Sequence, residues 1–348
     1  MQTITLGQTA LEVTRLGLGG VQLARMSTEQ AERVVRTGLD LGVTFLETAR
    51  GYWDSEEKMG RAIKGRRDQI VLASKAGGAT ADEITEKIDQ SLKALGVDCI
   101  DLYQYHGCDT REAYDKILAS GGAMEGLARA KDAGKIRTIG FSSHHLDLSL
   151  DIIRDDTFAS AQLPISFMNV ENHEKGLFDL AAQHNAGLIA MKPFGGGRLG
   201  DARLCMGYVL ALPNVAAAVG VDCVEHVREL VALAENPPTL DEQDQRRMRQ
   251  IKDDLGTRFC RACNYCQPCP EDIKIFQTLW LPVYLAQMGP DRVLTEQRIE
   301  MVRHTANCTE CRECEQRCPF DLDIVDGLKQ CRALLEHTLA QHRPQPNA

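Results

Sequence analysis

Eight of the thirteen cysteines in this 348-residue chain fall into two runs, each closed by Cys-Pro. The first is Cys260, Cys263, Cys266 and Cys269, followed by Pro270; the second is Cys308, Cys311, Cys314 and Cys318, followed by Pro319. The second run reads C-x2-C-x2-C-x3-C-P, a spacing that holds 4Fe–4S clusters. Thiolates spaced in this way can close around one iron–sulfur cube, and a proline after the last stops the backbone from continuing as a helix. Paired C-x2-C motifs also bind zinc, but four evenly spaced cysteines ending in Cys-Pro, present twice, favour iron–sulfur clusters. Where two such runs hold two clusters, the fourth cysteine of each ligates the other run's cube. That would group Cys260, Cys263, Cys266 and Cys318 around one cube and Cys269, Cys308, Cys311 and Cys314 around the other. A single cluster on the second run is the alternative, because the first run has one residue fewer before its last cysteine.

A second set of reactive residues lies in the first third of the chain. Glu47 is followed by Thr48-Ala49-Arg50-Gly51-Tyr52, Lys75 closes IVLASK, and His106 closes IDLYQYH. A lysine near a tyrosine favours the phenolate and brings the phenol toward a pKa useful for proton transfer. A carboxylate beside the lysine holds it in place, and a histidine can orient a carbonyl oxygen. Together these groups suit protonation of an oxyanion as hydride arrives at carbon. His144 and His145 lie farther along; with no carboxylate or third histidine at ligand spacing, a surface or capping role is favoured over metal binding.

The elements that must position these groups are eight short, mostly continuous apolar runs: 16–20, 44–48, 70–75, 100–106, 136–142, 159–163, 187–192 and 215–221. Such runs suit parallel strands covered on both faces. Between them lie amphipathic helix patterns, two of them opened by capping boxes at Ser27/Gln30 and Thr80/Glu83. Eight strand–helix units in residues 1–235 predict a (β/α)8 TIM barrel, whose reactive groups sit at the C-terminal ends of the strands. Glu47, Lys75 and His106 close strands two, three and four. A doubly wound sheet is the runner-up, but its dinucleotide fingerprint needs a third glycine where Gln22 stands after Gly17 and Gly19. Pro237 and Pro238 end the barrel. A linker helix over 236–258 leads to a mainly helical, ferredoxin-like iron–sulfur domain over 259–336, and 337–348 reads as a disordered tail.

The chain is 43% hydrophobic and 26% charged, as in ordinary globular proteins, with a formal net charge of −9. This charge and the lack of a basic block argue against a nucleic-acid surface, and no run reaches the ~18 apolar residues of a membrane span. The N-terminus does not read as a signal peptide, so a reducing, cytoplasmic setting is expected.

The segment ETARGYWDSEEKMGRAI resembles the aldo-keto reductase motif D-T-A-x-x-Y-G-x-S-E-x-x-L-G, and ASK, DLYQYH and IGFSSH are similar to its later signatures. The resemblance runs in order over about residues 3–230. It implies an NAD(P)H-dependent reductase of a small carbonyl or hydroxyl compound. Tyr52 would be the general acid, Lys75 would depress its pKa, and His106 would orient the carbonyl. Glu47 would stand where the family has aspartate, one methylene shorter. By the same resemblance Ser142, Ser143 and Gln162 would hold the nicotinamide carboxamide, and Met191 would stand where an aromatic residue often stacks on the ring. Gly195, Gly196 and Gly197 would approach a phosphate, as glycines after strand seven can in barrels generally. Either NADPH or NADH is admitted: where the family often has a lysine or arginine for the 2′-phosphate after strand eight, Gly220, Val221 and His226 stand, with Arg228 nearby. The cysteine domain is similar to the C-terminal extension of some homologues, which carries the pattern present here as CRACNYCQPCP.

A second function is an iron–sulfur electron-transfer protein whose barrel docks a partner without nicotinamide chemistry. Nicotinamides exchange electron pairs and clusters single electrons, and no flavin motif is present to convert between them. Either the clusters serve a redox partner protein or a cofactor not evident in the sequence, or they mainly brace the C-terminal domain. Trp53 is read equally as a cover over the barrel mouth or as a packing residue. Cys99, Cys108, Cys205, Cys223 and Cys331 are read as buried small apolar residues.

Overall fold

A computed structural model describes residues 1–255, 260–261, 265–318 and 320–342. The chain divides into two compact units, Met1–Gln245 and Arg246–Ala348. In the first, β3 (Leu16–Gly19), β4 (Phe45–Glu47), β5 (Val71–Ala76), β6 (Ile100–His106), β7 (Ile136–Ser142), β8 (Ser160–Pro164), β9 (Gly187–Met191) and β10 (Val215–Gly220) form a closed parallel barrel. These are the eight apolar runs of the sequence, and closure excludes the doubly wound sheet. The two capping boxes form as expected, Ser27 with Gln30 and Thr80 with Glu83, opening helices Thr28–Asp40 and Ala81–Leu95.

Alternate residues of a strand face one side, and in this barrel the inward positions change character with height. Phe45, Ala73, Leu102, Ile189 and Ala216 make an apolar layer with Leu6, Leu11 and Val13. Two residues on along three of these strands stand Glu47, Lys75 and Gln104, all buried and polar. Leu6, Leu11 and Val13 belong to an N-terminal hairpin, β1 (Thr3–Thr5) paired antiparallel with β2 (Glu12–Thr14), which the sequence reading did not anticipate. Each of its strands is three residues long, too short for alternation to show, and the hairpin is specified by packing on the barrel interior.

The second unit is helical, with segments Ile275–Leu279, Leu281–Met288, Pro290–Val293, Glu296–Arg303, Glu313–Gln316 and Ile324–Gln341. Helix Glu242–Leu255 spans the boundary between the units. The last helix runs to Gln341, which corrects the expectation of disorder for 337–341. Leu335 and Thr338 are buried, and Leu339 packs on the same cluster, so helix formation there is supported by packing. Residues 343–348 lie outside the described residues. Among the described residues no helix is long and apolar enough to cross a membrane.

If the hairpin seals the barrel floor, truncating Leu6 leaves a cavity against an interior that cannot collapse. Leu6→Ala is expected to lower stability by about 2–5 kcal/mol in anaerobic urea denaturation, whereas Leu118→Ala, on a surface helix, should change it by no more than about 0.5 kcal/mol.

Candidate active site and thiolate sites

Beyond Glu47 the chain stays hydrogen-bonded to β5: Thr48 N–H donates to Ala73 O and Arg50 N–H to Lys75 O, each at 2.9 Å. Ser55 closes the loop. Its hydroxyl donates to Gly20 O at 2.7 Å and lies 2.8 Å from Thr48 Oγ1. A Cβ on Gly20 would stand 2.7 Å from Ser55 Oγ, so this approach requires glycine. Farther out, Arg50 pairs at 2.7 Å with the fully buried Glu56, which accepts from Ser74 Oγ at 2.6 Å. The loop carrying Tyr52 is thereby tied to the strand carrying Lys75.

Within the barrel Lys75 and Glu47 form a direct ion pair, both almost wholly buried. The longer glutamate thus keeps the contact expected of aspartate. Lys75 also donates to Thr48 O at 3.0 Å. Glu47 accepts from Gln162 Nε2 at 3.2 Å, and Gln162 Oε1 accepts from Gln104 Nε2 at 2.7 Å. Gln104 was not singled out from sequence, although it lies two residues before His106 on the same strand face. Burial pushes the Lys75 ammonium below its ordinary pKa. Glu47 opposes that shift as the counter-charge.

The Lys75 ammonium sits 4.7 Å from the Tyr52 ring centroid, and His106 meets the same ring edge-on with centroids 5.8 Å apart. The structure therefore brings Glu47, Tyr52, Lys75 and His106 together. Burial, reinforced by the charge of Lys75, lowers the His106 pKa to about 3. The imidazole is neutral, with one donor and one acceptor nitrogen.

The other expected positions line the same end of the barrel. Ser142 closes β7 and its hydroxyl accepts from Gly107 N at 3.2 Å. The Ser143 hydroxyl donates to Asp109 at 3.0 Å and accepts from His145 N at 3.0 Å. Gln162 is engaged at both ends of its carboxamide. Met191 closes β9, half-buried. Gly195, Gly196 and Gly197 all have positive φ, at 55°, 68° and 87°, a conformation for which glycine carries no steric cost. His226 is paired with Asp222 at 2.6 Å.

Two expectations are corrected, and one of two alternatives for Trp53 is ruled out. His145 does cap a helix, its Nδ1 accepting from Leu148 N at 3.2 Å. His144, however, is half-buried and engaged on both sides: its Nε2 lies 2.8 Å from Lys192 Nζ, and its ring faces Asp109. Trp53 is 41% exposed, with φ at 49°, and is not packed under its loop. Cys108, Cys205 and Cys331 are buried as expected, but Cys99 and Cys223 are only partly so, Cys223 because it occupies the N-cap of helix Val224–Glu235.

In the second unit Cys269, Cys308, Cys311 and Cys314 line one small cavity, and Cys318 is absent from its walls. Cys266, Cys314 and Cys318 are buried in one cluster with Ile273, Ile275, Leu322, Ile324 and Leu328, against which Cys260, Cys269 and Cys308 pack. Four cysteines lining one cavity are the ligand type and number that an iron–sulfur cube takes. Cys263 lies outside the described residues.

The profile of the Aldo/keto reductase family matches residues 15–204, more than half of the chain. The chain belongs to the aldo/keto reductase family. The profile of a 4Fe-4S dicluster domain matches residues 259–323. Aldo-keto reductase YhdN of Bacillus subtilis is 33% identical over 166 residues, 42% of this chain and 48% of that protein. Aldo-keto reductase yakc [NADP(+)] of Schizosaccharomyces pombe is 33% identical over 216 residues, 54% of this chain and 60% of that protein. The chain thus spans about half to three-fifths of the length of these two relatives. The structure of aldo-keto reductase AKR11C1 from Bacillus halodurans, in its holo form, superposes with a TM-score of 0.62 at 25% identity, covering 72% of this chain and 96% of that one.

The His106 environment sets a sign. An unfolded chain takes up a proton on this residue below its ordinary pKa of about 6.5, whereas the folded chain resists until about 3, so His106 makes folding less favourable as pH falls through that window. In NMR titration between about pH 8 and 5 the His106 ring should keep the shifts of neutral imidazole, and a midpoint near 6.5 would contradict the buried geometry.

Proposed function

We propose that this protein reduces a small carbonyl compound to the alcohol with NADPH or NADH, and that its second unit holds two 4Fe–4S clusters. The observation carrying the first part is the placement of Tyr52 between a buried ammonium and a neutral imidazole. The dinucleotide, when bound, supplies hydride to the carbonyl carbon. Tyr52 gives its phenolic proton to the carbonyl oxygen, so aldehyde or ketone, hydride and proton balance as the alcohol. Lys75 stabilises the phenolate left behind, and Glu47 keeps the ammonium charged in its buried position. His106, neutral at working pH, donates a hydrogen bond to the same oxygen and holds the carbonyl in plane.

Ser142, Ser143 and Gln162 are proposed for the carboxamide of the nicotinamide; Gln162 keeps one amide N–H and one carbonyl lone pair for it after its bonds to Glu47 and Gln104. Met191 is proposed against the ring, and Gly195, Gly196 and Gly197, with their left-handed backbone, against a phosphate. NADP(+) stands in the name of the Schizosaccharomyces relative. Asp222 paired with His226 after β10 offers no lysine to a 2′-phosphate, so both nicotinamide forms belong to the proposal.

Tyr52→Phe is expected to lower kcat for small aldehydes by about 10²–10⁴-fold, with dinucleotide affinity within about twofold of wild type. Loss of nicotinamide absorbance, followed anaerobically, reads the first, and dinucleotide fluorescence the second. Unchanged turnover would transfer the proton donor to another residue. Dinucleotide binding with no carbonyl turnover in wild type would favour the reading in which the barrel serves a redox partner.

For the second unit, the cavity lined by Cys269, Cys308, Cys311 and Cys314 supports the crossed wiring, with Cys260, Cys263, Cys266 and Cys318 holding the other cube. The clusters would pass single electrons to a partner protein or brace this unit, whose buried core is rich in thiols. Anaerobically prepared protein should contain about eight irons per chain, and Cys269→Ser should deplete the cube shared with the second run. About four irons in wild type would leave one cluster and remove the crossed wiring.

A further inference from the structure

Asp109, His144 and Lys192 follow three different barrel strands, and none has a part in the carbonyl chemistry above. Lys192 Nζ lies 2.8 Å from His144 Nε2. A lysine ammonium only donates, so Nε2 accepts and the imidazole proton is on Nδ1. That nitrogen faces Asp109 Oδ2 at 3.5 Å. Asp109 Oδ1 in turn accepts from His144 N at 2.6 Å and from Ser143 Oγ at 3.0 Å. Burial raises the Asp109 pKa, but the hydrogen bonds from His144 and Ser143 outweigh it and bring the value to about 2, so the carboxylate is charged. The carboxylate fixes the ring, and the ring fixes the ammonium.

This arrangement lies close to the reacting centre. Asp109 and Lys192 both act electrostatically on His106, whose ring touches Tyr52. Lys192 also starts the turn that leads into the three glycines: its carbonyl accepts from Gly195 N at 2.8 Å, and its own φ is 55°. A non-glycine residue in the left-handed region is strained, and the surrounding contacts must hold it there. The imidazole stands between Lys192 and Asp109, so an anion meeting the ammonium is separated from the carboxylate that neutralises it.

We propose that Lys192, oriented by His144 and Asp109, holds an anionic oxygen group of the ligand that reacts at Tyr52 and His106. That group is a carboxylate on the carbonyl substrate or a phosphate of the dinucleotide. The proposal rests on the hydride-transfer reading for its location, but its test does not need turnover. Succinate and inorganic pyrophosphate serve as probes, titrated calorimetrically into the cluster-loaded full chain in wild type, Lys192→Met, Lys192→Arg and Asp109→Asn.

At least one probe should bind wild type and lose affinity by about tenfold or more in Lys192→Met, the loss expected of a charge-assisted hydrogen bond, with most of it restored by Lys192→Arg. Asp109→Asn should weaken the same probe by a smaller factor, because it loosens the ring and leaves the ammonium in place. A loss confined to succinate assigns the site to a substrate carboxylate; one confined to pyrophosphate assigns it to the dinucleotide. Losses for both support an anion position of mixed use. No binding of either probe to wild type, or equal affinities in wild type and Lys192→Met, overturns the proposal. Absence of carbonyl turnover in wild type while a Lys192-dependent probe still binds would sink the hydride reading and leave the anion position standing.

Discussion

The ion pair between Lys75 and Glu47 is the constraint on which the barrel's reactive end depends. An ammonium removed from water in this way is several kilocalories per mole unfavourable unless a counter-charge and hydrogen bonds meet it. Here Glu47 supplies the charge, Thr48 O accepts a further hydrogen bond from the ammonium, and Gln162, itself held by Gln104, donates to the carboxylate. Removing either partner would leave an uncompensated buried charge, so the pair confers little freedom to drift. Because both residues sit on strands, Lys75 is held against the Tyr52 ring with the rigidity of the sheet.

The polar layer also explains the form of the rest of the unit. Directly beneath it the barrel interior is apolar and is completed by Leu6, Leu11 and Val13 of the N-terminal hairpin. Water is excluded from below, so the electrostatic effect of Lys75 on Tyr52 and on His106 is weakly screened. The same desolvation that keeps His106 neutral makes it a hydrogen-bond donor of fixed charge. Arg50, Glu56 and Ser74 form an outer brace that joins the tyrosine loop to β5. The chemistry is thus supported by two concentric sets of contacts, one buried within the barrel and one between loop and strand.

The second unit follows a different logic. One of its clusters mixes thiols with Ile273, Ile275, Leu322, Ile324 and Leu328, beside a small cavity lined by four cysteines. A separate apolar cluster of Leu281, Val293, Val302 and Leu335 holds the helices of this unit together, so cluster ligation would act mainly on the cysteine segments. Cys311 is exposed whereas Cys314 is buried, so one corner of that cavity faces solvent and the opposite one faces the core.

The eight barrel strands were legible in the chain because parallel strands covered on both faces are apolar at consecutive positions, a local signal. Glu47, Lys75 and His106 were legible for a related reason: each interrupts such a run at its end, where a barrel exposes its chemistry. The cysteine runs were legible from spacing alone, since thiolates a few residues apart must reach one cube. Other features depend on contacts between segments far apart in sequence. The β1–β2 hairpin is specified by the interior it covers, and Gln104 matters only because Gln162, 58 residues later, meets it. His144 looked like a surface residue until Asp109 and Lys192, from other strands, closed around it. The gathering of Cys269 with Cys308, Cys311 and Cys314 likewise depends on how the helices between the runs turn the chain back on itself. Local periodicity and residue type specify elements and their reactive ends, whereas the partners of each buried polar group are selected by desolvation, which acts only once the chain has folded.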